Sequence, residues 1–227
     1  MVKDPVIWTV DIGSICKGQK NFGWCRLVSP KEHTECQGDD KAIRQVAKGI
    51  AEDLCSGKKV SLGIECPLFI PVREDPCALI KQRDGEKGRS WSAGAGPAAL
   101  VTGLAECIWI FREIKRSCPD LKPTFECKEF KEGNANLFIW EAFVSRKEKE
   151  SSHAEDAKEV ASEFYERWSK NNLESDVAKS EKEVFSLIGA VLLYLGLVSD
   201  PGILHQKCLV IEPKEKSNEN SETDPAK

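Results

Sequence analysis

The chain has 227 residues, 41% of them hydrophobic, with a formal charge of −4 and a pI of about 5.6. That is enough for one large domain or two small ones with a sizeable core. The acidic balance argues against a protein that lives on nucleic-acid backbones, which ordinarily carries a basic face. It leaves room for a local basic groove or for an enzyme that visits a polymer briefly.

Residues 6–12 are a short apolar run and predict a first strand. Residues 21–28 predict a second, joined to the first by a turn at 17–20, and residues 32–36 a weaker third. Residues 40–56 have helical spacing, with Ala42, Ile43, Val46, Ile50, Ala51 and Leu54 on one stripe. A fourth strand is expected at 60–65, then a long connection over 67–95 rich in charge and glycine. Pro97 suits the first turn of a helix that runs to Lys115, with Leu100, Leu104, Cys107, Ile108 and Phe111 on its buried side. A fifth strand is predicted at 137–143, a helix at 152–169 capped by Ser152, and another helix at 181–197. The apolar stretch 184–198 falls short of the ~20 residues of a membrane span and reads as a buried helix. A last strand is expected at 208–211. The remaining residues to 227 are rich in Lys, Glu, Asn and Ser and predict a disordered tail. Residues 1–212 therefore read as a single domain without internal repeats, and residues 213–227 as its tail.

Ten cysteines suggest disulfides, but none has C-x-x-C spacing, which argues against zinc ribbons and thioredoxin-like motifs. Cys25, Cys66, Cys107 and Cys208 lie in apolar runs, where a free thiol behaves as a small hydrophobe. Residues 1–10 carry Asp4 and Pro5 and no long apolar region, so no signal peptide is expected. A reducing, cytoplasmic setting without membrane contact is the expectation.

The chemistry-bearing pattern is a set of acids on apolar elements. Asp11 ends the first strand and Glu65 the fourth, and each run breaks at once into a loop, Ile12-Gly13-Ser14 and Cys66-Pro67. Ionised carboxylates avoid apolar surroundings without a partner. Two such strand ends side by side would hold a divalent cation, which takes oxygen ligands. Glu141 stands in the apolar run 137–143, and Asp156 near the start of the helix at 152–169. Ala157, Val160, Ala161, Phe164 and Trp168 mark that helix's buried stripe, with Asp156 at its edge and Glu155 on the opposite side. His153 falls inside the stripe and reads as a helix-start or core histidine rather than a base. Asp11, Glu65, Glu141 and Asp156 are thus the candidate metal ligands and catalytic residues. Mg²⁺ or Mn²⁺ is the expected cofactor. Each acid also has a plain structural reading, Asp11 as a turn former and Asp156 as a helix-dipole partner among them.

The 67–95 connection is long enough to suggest a functional role. Arg83, Lys87 and Arg89 with Trp91 are the candidate substrate-binding residues, able to hold a phosphate and stack a base, although a solvated surface loop accounts for them equally well. Residues 92–97 would offer backbone N–H groups to an anion ahead of a helix, although they lack the Lys-Ser/Thr of a P-loop.

The predicted order β-β-β-α-β-α-β-α-α gives an α/β protein with a mixed sheet. With Val10-Asp11-Ile12-Gly13, Ile64-Glu65-Cys66-Pro67, Trp140-Glu141-Ala142 and His153-Ala154-Glu155-Asp156-Ala157, the chain resembles the ribonuclease H-like superfamily over roughly residues 6–168. It is most similar there to a widespread group of poorly characterised predicted nucleases. The last motif also resembles the helix acid of RuvC-type junction resolvases. That group often has Asp where Glu65 stands. The resemblance implies a five-stranded mixed sheet with helices on both faces. It also implies Mg²⁺- or Mn²⁺-dependent phosphodiester hydrolysis, on nucleic acid or a nucleotide-like phosphate. Two alternatives stay open. One is a binding or regulatory scaffold that keeps the fold without the chemistry. The other is an ATP-binding, sugar-kinase-like protein, against which the lack of a duplicated domain speaks.

Overall fold

The computed structural model describes residues 4–16, 20–86, 90–143 and 152–213. In chain order, β1 (Val6–Asp11), β2 (Phe22–Ser29) and β3 (Glu32–Gly38) precede α1 (Asp40–Cys55). β4 (Val60–Ile64) and β5 (Phe69–Pro71) lead to the long α2 (Gly96–Ser117). β6 (Pro123–Thr124), α3 (Cys127–Glu132) and β7 (Leu137–Ala142) come next, then α4 (His153–Ser169). β8 (Val184–Ser186), α5 (Leu187–Tyr194) and β9 (Val210–Ile211) complete the described strands and α-helices.

The fold is α/β around a mixed seven-stranded sheet of order β3-β2-β1-β4-β7-β6, with β9 also on β7. β1 pairs antiparallel with β2 and parallel with β4, and β4 pairs parallel with β7. The sheet has more strands than the five expected. The additions are two-residue strands that share the outer side of β7, β6 beside Leu137–Phe138 and β9 beside Glu141–Ala142.

Each apolar run becomes a central strand because it is buried on both sides. Val6, Trp8 and Val10 pack with Val46 and Ile50 of α1, Ile110 and Phe111 of α2 and Ile188 of α5. Ile7, one step out of phase, packs with Phe138 and Trp140 of β7 and with Val160, Ala161 and Phe164 of α4. Several of the polar groups inside pair with one another or with main chain. Thr9 Oγ1 donates to the Ala157 carbonyl at 2.6 Å, tying β1 to α4, and Trp140 Nε1 donates to Ser61 Oγ at 2.9 Å. Asp53 accepts from Trp8 Nε1 at 3.0 Å, from Arg26 Nε at 2.8 Å and from Lys58 at 3.0 Å. Burial alone would raise the Asp53 carboxyl, but these donors outweigh it and hold it below its ordinary range.

The expectation of a helix over 181–197 needs correction. Val184–Ser186 is a strand, paired antiparallel with β5 through Phe69↔Ser186 and Pro71↔Val184, and only Leu187–Tyr194 is α-helical. Val184 and Ser186 are buried while Phe185 faces out, the alternation of a strand. Ser186 then caps α5, accepting from the Gly189 N–H at 3.1 Å. The helix of 152–169 begins at His153 behind its Ser152 cap, as expected. All but the first residue of the expected tail lies outside the described residues. Among the described residues no helix is long and apolar enough to cross a membrane, and all ten cysteines are free thiols.

Candidate functional site

Parallel pairing puts the C-terminal ends of β1, β4 and β7 on one edge of the sheet, the edge where open α/β sheets ordinarily bind ligands. Asp11 is the last residue of β1 and only 1% exposed. Glu65 follows β4 directly. Its N–H donates to the Val10 carbonyl at 2.8 Å, which holds it beside the end of β1, and it is half-buried. Asp11, Glu65 and Glu141 all line a cavity of about 860 Å³. The far side of that cavity is built by Trp91, by the loop 93–96 and by Ala98, Ala99 and Thr102 of α2.

The start of α4 closes on Asp11. Ser152 and Glu155 form a reciprocal capping box that fixes the first turn. That turn crosses β2 at Gly23, the residue paired with Asp11 in the sheet. A Cβ on Gly23 would lie 2.4 Å from the His153 carbonyl carbon and 2.6 Å from Ala154 N, so only glycine permits the crossing. His153 Nδ1 consequently sits 2.9 Å from Asp11 Oδ2. Neither atom makes a hydrogen bond of good geometry among the described residues. Asp156 is 2% exposed and Glu155 is exposed in its cap, as the helical spacing implies. The α4 side chain that reaches Asp11, however, is that of His153, read from the sequence as a helix-start or core residue.

Glu106 escaped the sequence reading. It lies on the buried stripe of α2 with Gly103, Cys107, Ile110 and Phe111 and is 4% exposed. Neither of its carboxyl oxygens has a hydrogen-bond partner among the described residues. Burial, and then the charge of Asp11, push its carboxyl up to about 8. The available signal was an acid at helical spacing within an apolar stripe, three residues after Gly103 and four before Ile110.

Two expected roles change. Arg83 does not face a substrate, because it is fully buried and committed to other side chains. Its Nη1 and Nη2 donate to the two oxygens of Glu141 at 2.8 and 2.5 Å, and its Nε donates to Glu86 at 2.7 Å. The Leu68 N–H also donates to Glu141, at 3.0 Å. Burial alone would lower the Arg83 guanidinium, and the two carboxylates outweigh it and raise it. With both oxygens engaged, Glu141 suits an outer role, holding Leu68 and Arg83 against the end of β7. Trp91 keeps its place in the cavity wall. Its indole N–H donates to the Lys81 carbonyl at 3.1 Å and its backbone N–H to Glu86 at 3.2 Å. Lys87 and Arg89 lie outside the described residues.

Among the described residues, no three His, Cys, Asp or Glu side chains form a ready-made metal cage. Mg²⁺ does not require one, since it is commonly held by one or two carboxylates with substrate oxygens and water completing the shell. The unsatisfied oxygens of Asp11 and Glu106 fit that sparse kind of site. The start of α2, which has no side-chain cap, turns the positive end of a long helix toward the same cavity. Compared with protein-family models, with curated proteins and with solved structures, the chain matches none.

Proposed function

We propose that the protein is a Mg²⁺- or Mn²⁺-dependent hydrolase of phosphodiesters, acting on nucleic acid or a nucleotide-like phosphate in a reducing, cytoplasmic setting. The observation that carries the reading is the buried Asp11 carboxylate at the end of β1, beside Glu65 on the adjacent parallel strand and open to a large cavity. The order β3-β2-β1-β4-β7, with α4 packed over β1 and β2 and α1 and α2 packed together on the opposite cluster, resembles the ribonuclease H-like arrangement.

Asp11 and Glu65 would hold the cation. When bound, such a cation supplies Lewis acidity to the phosphoryl oxygens and lowers the pKa of a coordinated water. The chain's own residues do the rest. His153 Nδ1 stands beside the Asp11 carboxylate, 2.9 Å from Oδ2. The positive start of α2 faces an incoming phosphate, and the half-buried Trp91 offers a stacking surface for a base. Arg83, bonded to Glu141 and Glu86, ties Gln82 and Glu86 of the cavity wall to the end of β7.

The test is hydrolysis of single-stranded, duplex and RNA–DNA hybrid substrates by wild type and Asp11→Asn. Cleavage that needs Mn²⁺ or Mg²⁺ and is lost in Asp11→Asn supports the reading. If wild type cleaves none of these, nor a dinucleotide phosphodiester, the scaffold reading takes its place. That reading is favoured by the mutual engagement of Arg83 and Glu141, which removes one expected ligand and one expected phosphate-binding group together.

A further inference from the structure

We infer that Glu106 is a cation ligand facing Asp11, so that the site is built between β1 and α2, and that Glu141 is not part of it. The inference rests on the functional reading above and names a ligand that the reading does not need.

The first support is the cost of Glu106 where it stands. A buried carboxyl with no hydrogen-bond partner is destabilising in either protonation state, and native interiors hold few such groups. The neighbouring positions of the α2 stripe are apolar or small. Glu106 is 4% exposed, and both of its oxygens lack partners among the described residues.

The second support is the direction from which Glu106 arrives. Gly103, three residues earlier, lets α2 press onto the two strand ends. A Cβ at that position would lie 2.5 Å from the Cys66 side chain and 3.0 Å from Ile12 Cδ1. Ile12 and Cys66 are the residues that follow Asp11 and Glu65. Thr102, one turn before Glu106, already lines the cavity. Glu106 therefore sits on the helix face turned to the strand ends.

The third support is chemical. Two carboxylates at close range repel unless a proton or a cation lies between them. Oxygen-only donors from two elements suit Mg²⁺ or Mn²⁺ rather than a thiolate-seeking ion. Glu141, by contrast, already has a guanidinium on both oxygens.

The test is a calorimetric titration of Mn²⁺ into wild type, Asp11→Asn, Glu106→Gln and Glu106→Asp at pH 8. We expect wild type to bind, Asp11→Asn to lose binding and Glu106→Gln to weaken it about tenfold or more. Glu106→Asp is expected to recover part of that loss. Thermal melting in EDTA establishes that Glu106→Gln is folded, with a midpoint at or above that of wild type. If Glu106→Gln binds Mn²⁺ as wild type does while Asp11→Asn does not, the inference falls and the functional reading stands. If wild type itself binds no Mn²⁺, both fall.

Discussion

His153 Nδ1 lies 2.9 Å from Asp11 Oδ2, so the first turn of α4 closes over the end of β1. Gly23 makes this contact possible, because α4 crosses the sheet where a side chain would strike its backbone. Gly23→Ala should destabilise the protein by about 1–3 kcal/mol, since the added methyl meets main chain rather than a movable side chain. Urea unfolding of the two proteins measures this. An unchanged midpoint would mean that α4 does not sit so closely on β2.

Arg83 ties Glu86 and Glu141 together with no exposure to solvent. Arg83→Leu leaves two buried carboxylates without their cation and should cost about 3–5 kcal/mol. Arg83→Lys should rescue little of it, because an ammonium cannot serve Glu141 bidentately and Glu86 together. Denaturant melts of the three proteins decide this. A fully stable lysine variant would show that charge alone suffices.

Glu106 predicts a pH dependence with a definite sign. Its carboxyl rises from 4.5 to about 8 on folding, so between those values the folded state holds a proton that the unfolded chain releases. Stability from this group is therefore intact below about 4.5 and falls as pH rises toward 8. The loss is on the order of a few kcal/mol in metal-free buffer. Glu106→Gln should abolish this slope, matching wild type near pH 5 and exceeding it near pH 8.5 in EDTA. Parallel stability curves for the two proteins would show that Glu106 does not titrate in this way.

The parts of this architecture legible in the sequence are those set by local pattern. β1, β4 and β7 are buried on both sides and read as mainly apolar runs, and α1, α2 and α4 show helical stripes. The burial of Asp156 rather than Glu155 followed from the same spacing. What was not legible depends on partners far apart in the chain. Val184–Ser186 is a strand because β5 is there to pair with it, and three residues carry no period of their own. Arg83 looks like any charge in a polar loop, and only the fold brings it to Glu141, 58 residues away. The contact between His153 and Asp11 depends on a glycine in a third element. Glu106 is the intermediate case, an acid within an apolar helical stripe whose partner across the sheet edge the stripe cannot reveal.

Asp11 lies at the core of the proposed divalent-cation site. The most direct test of that site is the thermal midpoint of wild type and Asp11→Asn in EDTA, Mg²⁺ and Mn²⁺. A ligand that binds only the folded state raises the midpoint with concentration, by ~2.7 kcal/mol of stability at one hundred times its Kd. We predict that metal raises the wild-type midpoint and leaves Asp11→Asn unmoved. A wild-type midpoint that does not respond to either ion would contradict the account.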